Sequence, residues 1–535
     1  MKRIITFTIA FATLLNIPTY AQIPQAYWQY QQPFQNAVAS NNKEEILKTS
    51  NAIIDIFNNL PMDNDKAGIL FITYEALYPI YESMGQYDKA IECLKEYVKY
   101  GQYLNFTDAV KIGTKRIEKI NPNVEVYALT KDTSKTPYYG MKNEPKSGTY
   151  WGRVHSEVSD EPMNEESAVS FYVECLQENI ADYDYMIRPY DDGKRIIHIA
   201  LNMPNENSTL NSVLQSSSDD YIKSTMKYLS TLKSPVLLRI GGEMNVWTNL
   251  ADPQTFKNAY IKIANIARDI APNVALVFSP NDVSNWNTEI QNYYPGDSYV
   301  DWVGVSLYTN KYQSANSAKA NEDFSEMFYG NGAYSNPIAK LREIVTLYGN
   351  KKPIIITEGG SGHTIKGGEN LTDFAKNRIN MLYTYVNMVY PQVKGIIYFD
   401  QDMSNSLYDY ALNHNQIVKQ QYITSGTNNK AFISNHQVNY AYVKAEQYKD
   451  NLSEINLYTY CILPGSIIAW TNYYLDGNII ASPRTIPFYC TISSTSLNVG
   501  VHDLKVEIKG ENGFLKVKEY TIEKSADGMI NIHAK

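Results

Sequence analysis

The chain has 535 residues, 44% of them hydrophobic, and carries 48 Lys and Arg against 56 Asp and Glu for a net charge of −8 at pH 7. That length exceeds what one core usually organises and predicts two to four domains. The acidic balance, with no long basic run, excludes a polyanionic partner such as nucleic acid and suits a neutral one.

At the N-terminus Met1-Lys2-Arg3 precedes an apolar run from Ile4 to Ile17 and a small-residue ending at Thr19-Tyr20-Ala21. This is the pattern of a secretory signal over residues 1–21, and it implies export to the periplasm, the cell surface or the medium. The run is shorter than the roughly 20 apolar residues a spanning helix needs, and no later segment qualifies, so no integral membrane segment is expected after cleavage. From Gln22 to Ile120 apolar residues recur at three and four spacing, as in Glu45–Leu60 and Ala67–Met84, which predicts an α-helical domain. Gly85-Gln86-Tyr87-Asp88 opening a helix to Tyr100, echoed by Asn41-Asn42-Lys43-Glu44, has a tetratricopeptide-like look at a longer spacing than that repeat's roughly 34 residues. A protein partner and a plain packing role both remain open for it. Residues 121–147, rich in Pro, Lys, Thr and Gly, read as a linker.

Over residues 148–434 short apolar runs alternate with helical stretches. The strand-like runs are Thr149–Val154, Ala168–Val173, Arg195–Leu201, Pro235–Ile240, Val274–Ser279, Val300–Leu307, Pro353–Thr357 and Val393–Phe399. Eight such units without a G-x-G-x-x-G fingerprint predict a (β/α)8 TIM barrel, with its site at the C-terminal ends of the strands. From 435 to 535 strands follow without helices, with an Asp476-Gly477 hairpin turn, which predicts an immunoglobulin-like β-sandwich. Trp470 and Tyr473 lie there on strands, and a core role is favoured for both over a binding platform. Cys93, Cys175, Cys461 and Cys490 are too scattered for a disulfide framework and lack zinc-site spacing. For Cys461 and Cys490, a bridge and two separate buried thiols are both compatible with the spacing.

Two strand ends carry the candidate chemistry. Pro235–Ile240 runs into Gly241-Gly242-Glu243-Met244-Asn245-Val246-Trp247, and Pro353–Thr357 runs into Glu358-Gly359-Gly360. Strands four and seven of a barrel can thus aim two carboxyls at one point, as glycosidic cleavage through an oxocarbenium-like transition state requires. Arg239 is placed to keep one of them ionised, while burial beside glycines and an aromatic raises the other. Ser361 and His363 are close in sequence, but G-x-S-x-G is not matched and no strand-turn-helix elbow follows. No metal or cofactor is expected.

Arg239, Glu243, Met244 and Asn245, the run Tyr293-Tyr294-Pro295-Gly296-Asp297 through Asp301-Trp302-Val303-Gly304 to Tyr308, and Lys352-Pro353 through Glu358 together resemble family 26 glycoside hydrolases, the β-mannanase family. The resemblance spans Gly148 to Asp402. It implies a retaining hydrolase of β-linked polysaccharide or oligosaccharide, endo-β-1,4-mannanase-like, with Glu243 as acid/base, Glu358 as nucleophile and Tyr308 beside the nucleophile. The family usually has Trp-His where this chain has Gly241-Gly242, and a Trp platform on strand eight where it has Tyr398-Phe399. Tyr398, Phe399, Trp247, Trp286, Asn245 and Arg239 are the candidate substrate-binding residues. Another β-glycan, such as mixed-linkage glucan or xylan, and a catalytically inactive glycan-binding surface protein are the alternative readings.

Overall fold

The computed structural model describes residues 23–84, 86–121, 123–156, 162–204, 206–246, 251–282, 288–310, 336–365, 369–405, 408–434, 440–462, 468–510 and 515–535. The signal-like segment 1–21 lies outside them. The chain divides into two compact units, one of Met1–Val124, Cys461–Ala469 and Ile508–Lys516 and the other of the remainder. In the first unit, helices run over Trp28–Ala39, Lys43–Phe57, Asn64–Ser83, Tyr87–Tyr103 and Thr107–Ile120. The second and third start at side-chain caps, Asn42 accepting from the Glu45 amide and Asp63 from that of Lys66. Their inward stripes, among them Ile46, Ile53, Leu70, Phe71, Leu94 and Tyr97, form one core.

The second unit is built on a closed parallel barrel of eight strands, in the order eight, one, two, three, four, five, six, seven. Strands one to eight are Tyr150–Val154, Ala168–Glu174, Ile196–Asn202, Val236–Ile240, Val274–Phe278, Trp302–Tyr308, Ile354–Gly360 and Val393–Tyr398. Both faces of these strands are buried, which is why they read as nearly continuous apolar runs. Val154, Ala168, Ile196, Leu237, Ala275, Val277, Trp302, Ile355 and Ile397 fill the interior, so the barrel is a packed core and not a pore.

Residues 121–147 do more than link. Asn123–Thr130 is a strand, pairing antiparallel with Ala441–Lys444 from beyond the barrel. Further along, the Asn143 amide donates to Val236 O and Asn273 O, and the Trp302 indole donates to Lys142 O, so this stretch lies against the N-terminal ends of barrel strands. The C-terminal region forms two antiparallel sheets, one of four strands that takes in Asn123–Thr130 and one of six. In its Ile468–Leu475 and Asn478–Ala481 hairpin, Asp476 and Gly477 both have positive φ, 49° and 81°, as a type I′ turn demands. Tyr473 is fully buried with its hydroxyl donating to Phe488 O, and the Arg484 guanidinium lies 5.3 Å over the Trp470 ring. All four cysteines are free and buried. Among the described residues no helix is long and apolar enough to cross a membrane.

Candidate active site

Glu358 reaches the barrel mouth through an irregularity in strand seven. Val305 on strand six pairs with Ile356, but the next residue, Ser306, pairs with Glu358, so Thr357 is an extra residue in the ladder. Ile355 faces the barrel interior, and the Thr357 hydroxyl bonds that of Ser279 inside it. Strict alternation would then turn Glu358 outward; the bulge turns it in, a use of bulges that recurs beside active sites. Arg239 of strand four grips the carboxylate with both Nη atoms, each at 3.1 Å from one oxygen. Ser306 Oγ donates to Oε1 at 2.8 Å, and the Tyr172 hydroxyl, from strand two, donates to Oε2.

Glu243 follows strand four by three residues, in a turn where its own φ is 62°. A non-glycine residue held there is strained, and such strain is kept where surrounding structure fixes it. The Glu243 amide donates to Ser279 O at 3.0 Å, and its Oε1 accepts from the Asn281 side chain at 2.6 Å. Asn245 is fully buried and engages the Asn281 backbone in both directions, Nδ2 to O at 2.9 Å and N to Oδ1 at 2.8 Å. These bonds fix the loop after strand four to that after strand five, the second of the two roles open to Asn245, a substrate contact being the first. Gly242 is required by close approach: a Cβ there would lie 2.1 Å from the Arg239 Cζ. The space that a larger residue before Glu243 would use is occupied by the guanidinium that holds Glu358.

The two carboxyls face each other closely enough to affect each other's protonation. Burial alone would push Glu358 up, but Arg239 first, then the Tyr172 and Ser306 hydrogen bonds, outweigh it and hold the group down at about 2. Burial, followed by the negative charge of Glu358, pushes Glu243 up to about 7 against the opposing influence of Arg239 and Asn281. The two carboxyls are thus pushed in opposite directions, Glu358 toward the anion and Glu243 toward the protonated acid, the kind of separation that an acid and a nucleophile need.

Residues 194–344 match the model of glycosyl hydrolase family 26. The matched stretch runs from the start of barrel strand three to the helix before strand seven, so over that part the barrel is similar to family 26 glycoside hydrolases. The matched segment contains Arg239, Glu243, Asn281, Ser306 and Tyr308 and ends before Glu358. No curated protein sequence matches the chain. Similar solved structures include an endo-β-1,4-mannanase double mutant from Cellulomonas fimi, 12% identical over 70% of this chain and 94% of that one with a TM-score of 0.39. A family 26 β-mannanase from Bacteroides ovatus is 16% identical over 54% of this chain and 91% of that one, with a TM-score of 0.37.

Aromatic rings wall one side of the candidate site. Phe399, directly after strand eight, meets Tyr172, Tyr308 and Tyr410 edge-on at centroid distances of 6.3, 5.6 and 5.4 Å. Asn310 Nδ2 holds the Tyr410 hydroxyl at 2.5 Å. Tyr398 points the other way. It is fully buried, its ring lies 5.3 Å from that of Tyr422, and its hydroxyl donates to Tyr410 O at 3.1 Å, so it presents no surface for a sugar. Strand alternation decides between the two neighbours, since Ile397 already faces the barrel core and places Phe399 on that side. Trp247 and Trp286 lie outside the described residues. Tyr172, Ser306 and Asn281 are site residues that the sequence did not single out. On the loop after strand eight, Asp402, Asp409 and His414 bring their ligand atoms within 4.8 Å of one another. His414 is already bonded to Asp409 at 2.7 Å, and no second feature points to an ion there.

Proposed function

We propose that the chain is an exported retaining glycosidase that cleaves β-linked polysaccharide by double displacement, with Glu358 as nucleophile and Glu243 as acid/base. The observation that carries this reading is the pair of carboxyls at the ends of barrel strands four and seven, Glu358 held by Arg239 and Ser306 and Glu243 held by Asn281, with Glu358 pushed down by Arg239 and Glu243 pushed up by burial. Glu358 attacks the anomeric carbon while Glu243 protonates the departing oxygen, and the resulting Glu243 carboxylate then activates the water that frees the glycosyl enzyme. The similarity of the barrel to family 26 favours an endo-acting β-1,4-mannanase-like activity. Gly242, with Arg239 beneath it, favours a second reading in which the glycan is mixed-linkage glucan or xylan, because the sugar contact expected just before the acid/base is missing.

Incubation with mannan, glucomannan, xylan and mixed-linkage glucan, followed by mass spectrometry of released oligosaccharides, tests both. Products from mannans that vanish in Glu358→Gln support the first reading, and products from another glycan support the second. Turnover retained by a folded Glu358→Gln would refute both.

A further inference from the structure

We propose that Tyr172 is a catalytic residue: its phenol holds the attacking oxygen of Glu358 and assists the departure of that oxygen from the glycosyl enzyme. The inference rests on the retaining mechanism above and goes beyond it by assigning an oxygen, a residue and a step. Each carboxylate oxygen offers two in-plane lone-pair directions. Oε1 accepts from Ser306 Oγ at 2.8 Å and Arg239 Nη2 at 3.1 Å; Oε2 accepts from the Tyr172 hydroxyl and lies 3.1 Å from Arg239 Nη1 as an ion pair. Both directions of Oε1 are taken by hydrogen bonds, so one of its donors would have to move aside before it could bond to carbon, whereas Oε2 accepts one hydrogen bond and keeps a direction for the carbon.

Arg239 and Ser306 are poorly suited to move. Arg239 is 2% exposed, and its guanidinium is also tied to Ser279 at 3.1 Å and to Ser306 at 2.7 Å. Ser306 is fully buried within strand six. Tyr172 lies near the C-terminal end of strand two, is less completely buried, and has its ring edge against Phe399 at the mouth. With the two donors on Oε1 held in place, Oε2 is the nucleophilic atom, and the Tyr172 phenol stays hydrogen-bonded beside the bond that forms. Tyr308, the aromatic that the family resemblance places beside the nucleophile, packs on Phe399 and Tyr410; among the described residues the hydroxyl bonded to Oε2 is that of Tyr172.

The consequence differs between the two steps. In the first, a lone pair of Oε2 forms the bond to the anomeric carbon, the bond to the leaving oxygen breaks, and its electron pair takes the Glu243 proton. The phenol's hydrogen bond, charge-assisted with the carboxylate, weakens as Oε2 becomes an ester oxygen. In the second, a water oxygen attacks the anomeric carbon and gives its proton to Glu243, and the electron pair of the C–Oε2 bond returns to Oε2. The hydrogen bond then strengthens along the reaction, so Tyr172 stabilises this transition state relative to the covalent intermediate.

The test is Tyr172→Phe in the full chain, assayed with 2,4-dinitrophenyl β-glycosides of mannobiose, cellobiose and xylobiose, whose leaving group makes the first step fast. The expected result is a kcat lowered roughly tenfold or more. KM should fall with it, and a covalent glycosyl adduct should accumulate in intact-mass spectra of the quenched variant but not of the wild type. A second variant preserves the shape of the site: 3-fluorotyrosine at position 172 is a stronger donor and should raise kcat for the same substrates. Wild-type kcat in both variants, or a lowered kcat with constant KM and no adduct, would overturn the inference while leaving the glycosidase reading intact. A folded wild type inert on all three glycosides and on the polysaccharides would overturn both.

Discussion

Gly242→Ala is the sharpest single perturbation of this site. A Cβ at 242 would lie 2.1, 2.2 and 2.3 Å from Cζ, Nη2 and Nε of Arg239, against the roughly 3.5 Å of an ordinary carbon contact. The guanidinium would have to retreat by about 1.3 Å or more, which carries its 3.1 Å hydrogen bond to Glu358 Oε1 past the range in which it acts. That charge-assisted bond, contributing about 1.5–3 kcal/mol, would be weakened or lost along with the ion pair to Oε2. About 3 kcal/mol of that appearing in the transition state corresponds to roughly a hundredfold in kcat. The sign on pH follows from the same geometry. Losing its cation raises the Glu358 carboxyl, so the acid limb of kcat/KM should move to higher pH as kcat falls. Steady-state kinetics over a pH series, with the thermal unfolding midpoint as a control for overpacking, reads both effects. A folded Gly242→Ala enzyme with kcat within about threefold of wild type and an unmoved acid limb would refute the argument that Gly242 exists to seat Arg239.

Wild-type activity should fall as pH rises through about 7, where Glu243 loses the proton it must donate, while the acid limb set by Glu358 lies far lower, near 2; a pH–rate series that stayed flat through neutrality would contradict these roles. Phe399→Ala should raise KM by roughly 10- to 150-fold, in line with about 1.5–3 kcal/mol for a lost aromatic contact. Tyr398→Phe should leave kinetics unchanged and lower unfolding stability by about 1–3 kcal/mol, because Tyr410 O loses its buried donor. Denaturant unfolding and steady-state kinetics on both variants separate the two rings.

The barrel was legible because each buried parallel strand is a short apolar run bounded by polar turns, and the structure places all eight within three residues of the sequence-based bounds at either end. The two Glu residues were legible because a barrel concentrates its chemistry at strand ends. Tyr172 was not, since strand two reads as ordinary core and its phenol meets Glu358 only after the barrel closes and brings strand two across from strand seven. The bulge at Thr357 left no mark in composition. Asn245 was placed on the correct loop, but a sequence does not say whether an amide faces a ligand or a backbone. The strand Asn123–Thr130 did carry a signal, the β-rich run Val124-Glu125-Val126-Tyr127, outweighed in the reading by the Pro, Lys and Gly residues that follow it.

That strand has a consequence for how the protein can be cut. Tyr127 through Thr130 pair with Ala441 through Lys444, and Thr130 and Lys131 both donate to Asp450, so chain from before the barrel and chain from after it are zipped into one sheet. The hydrolase barrel is thus an insertion between two neighbouring strands of that sheet. A fragment ending at residue 434 would leave Asn123–Thr130 unpaired on both edges, a ready template for strand exchange between molecules. The smallest fragment that keeps the barrel's entry and exit clasped together must retain the sheet as well.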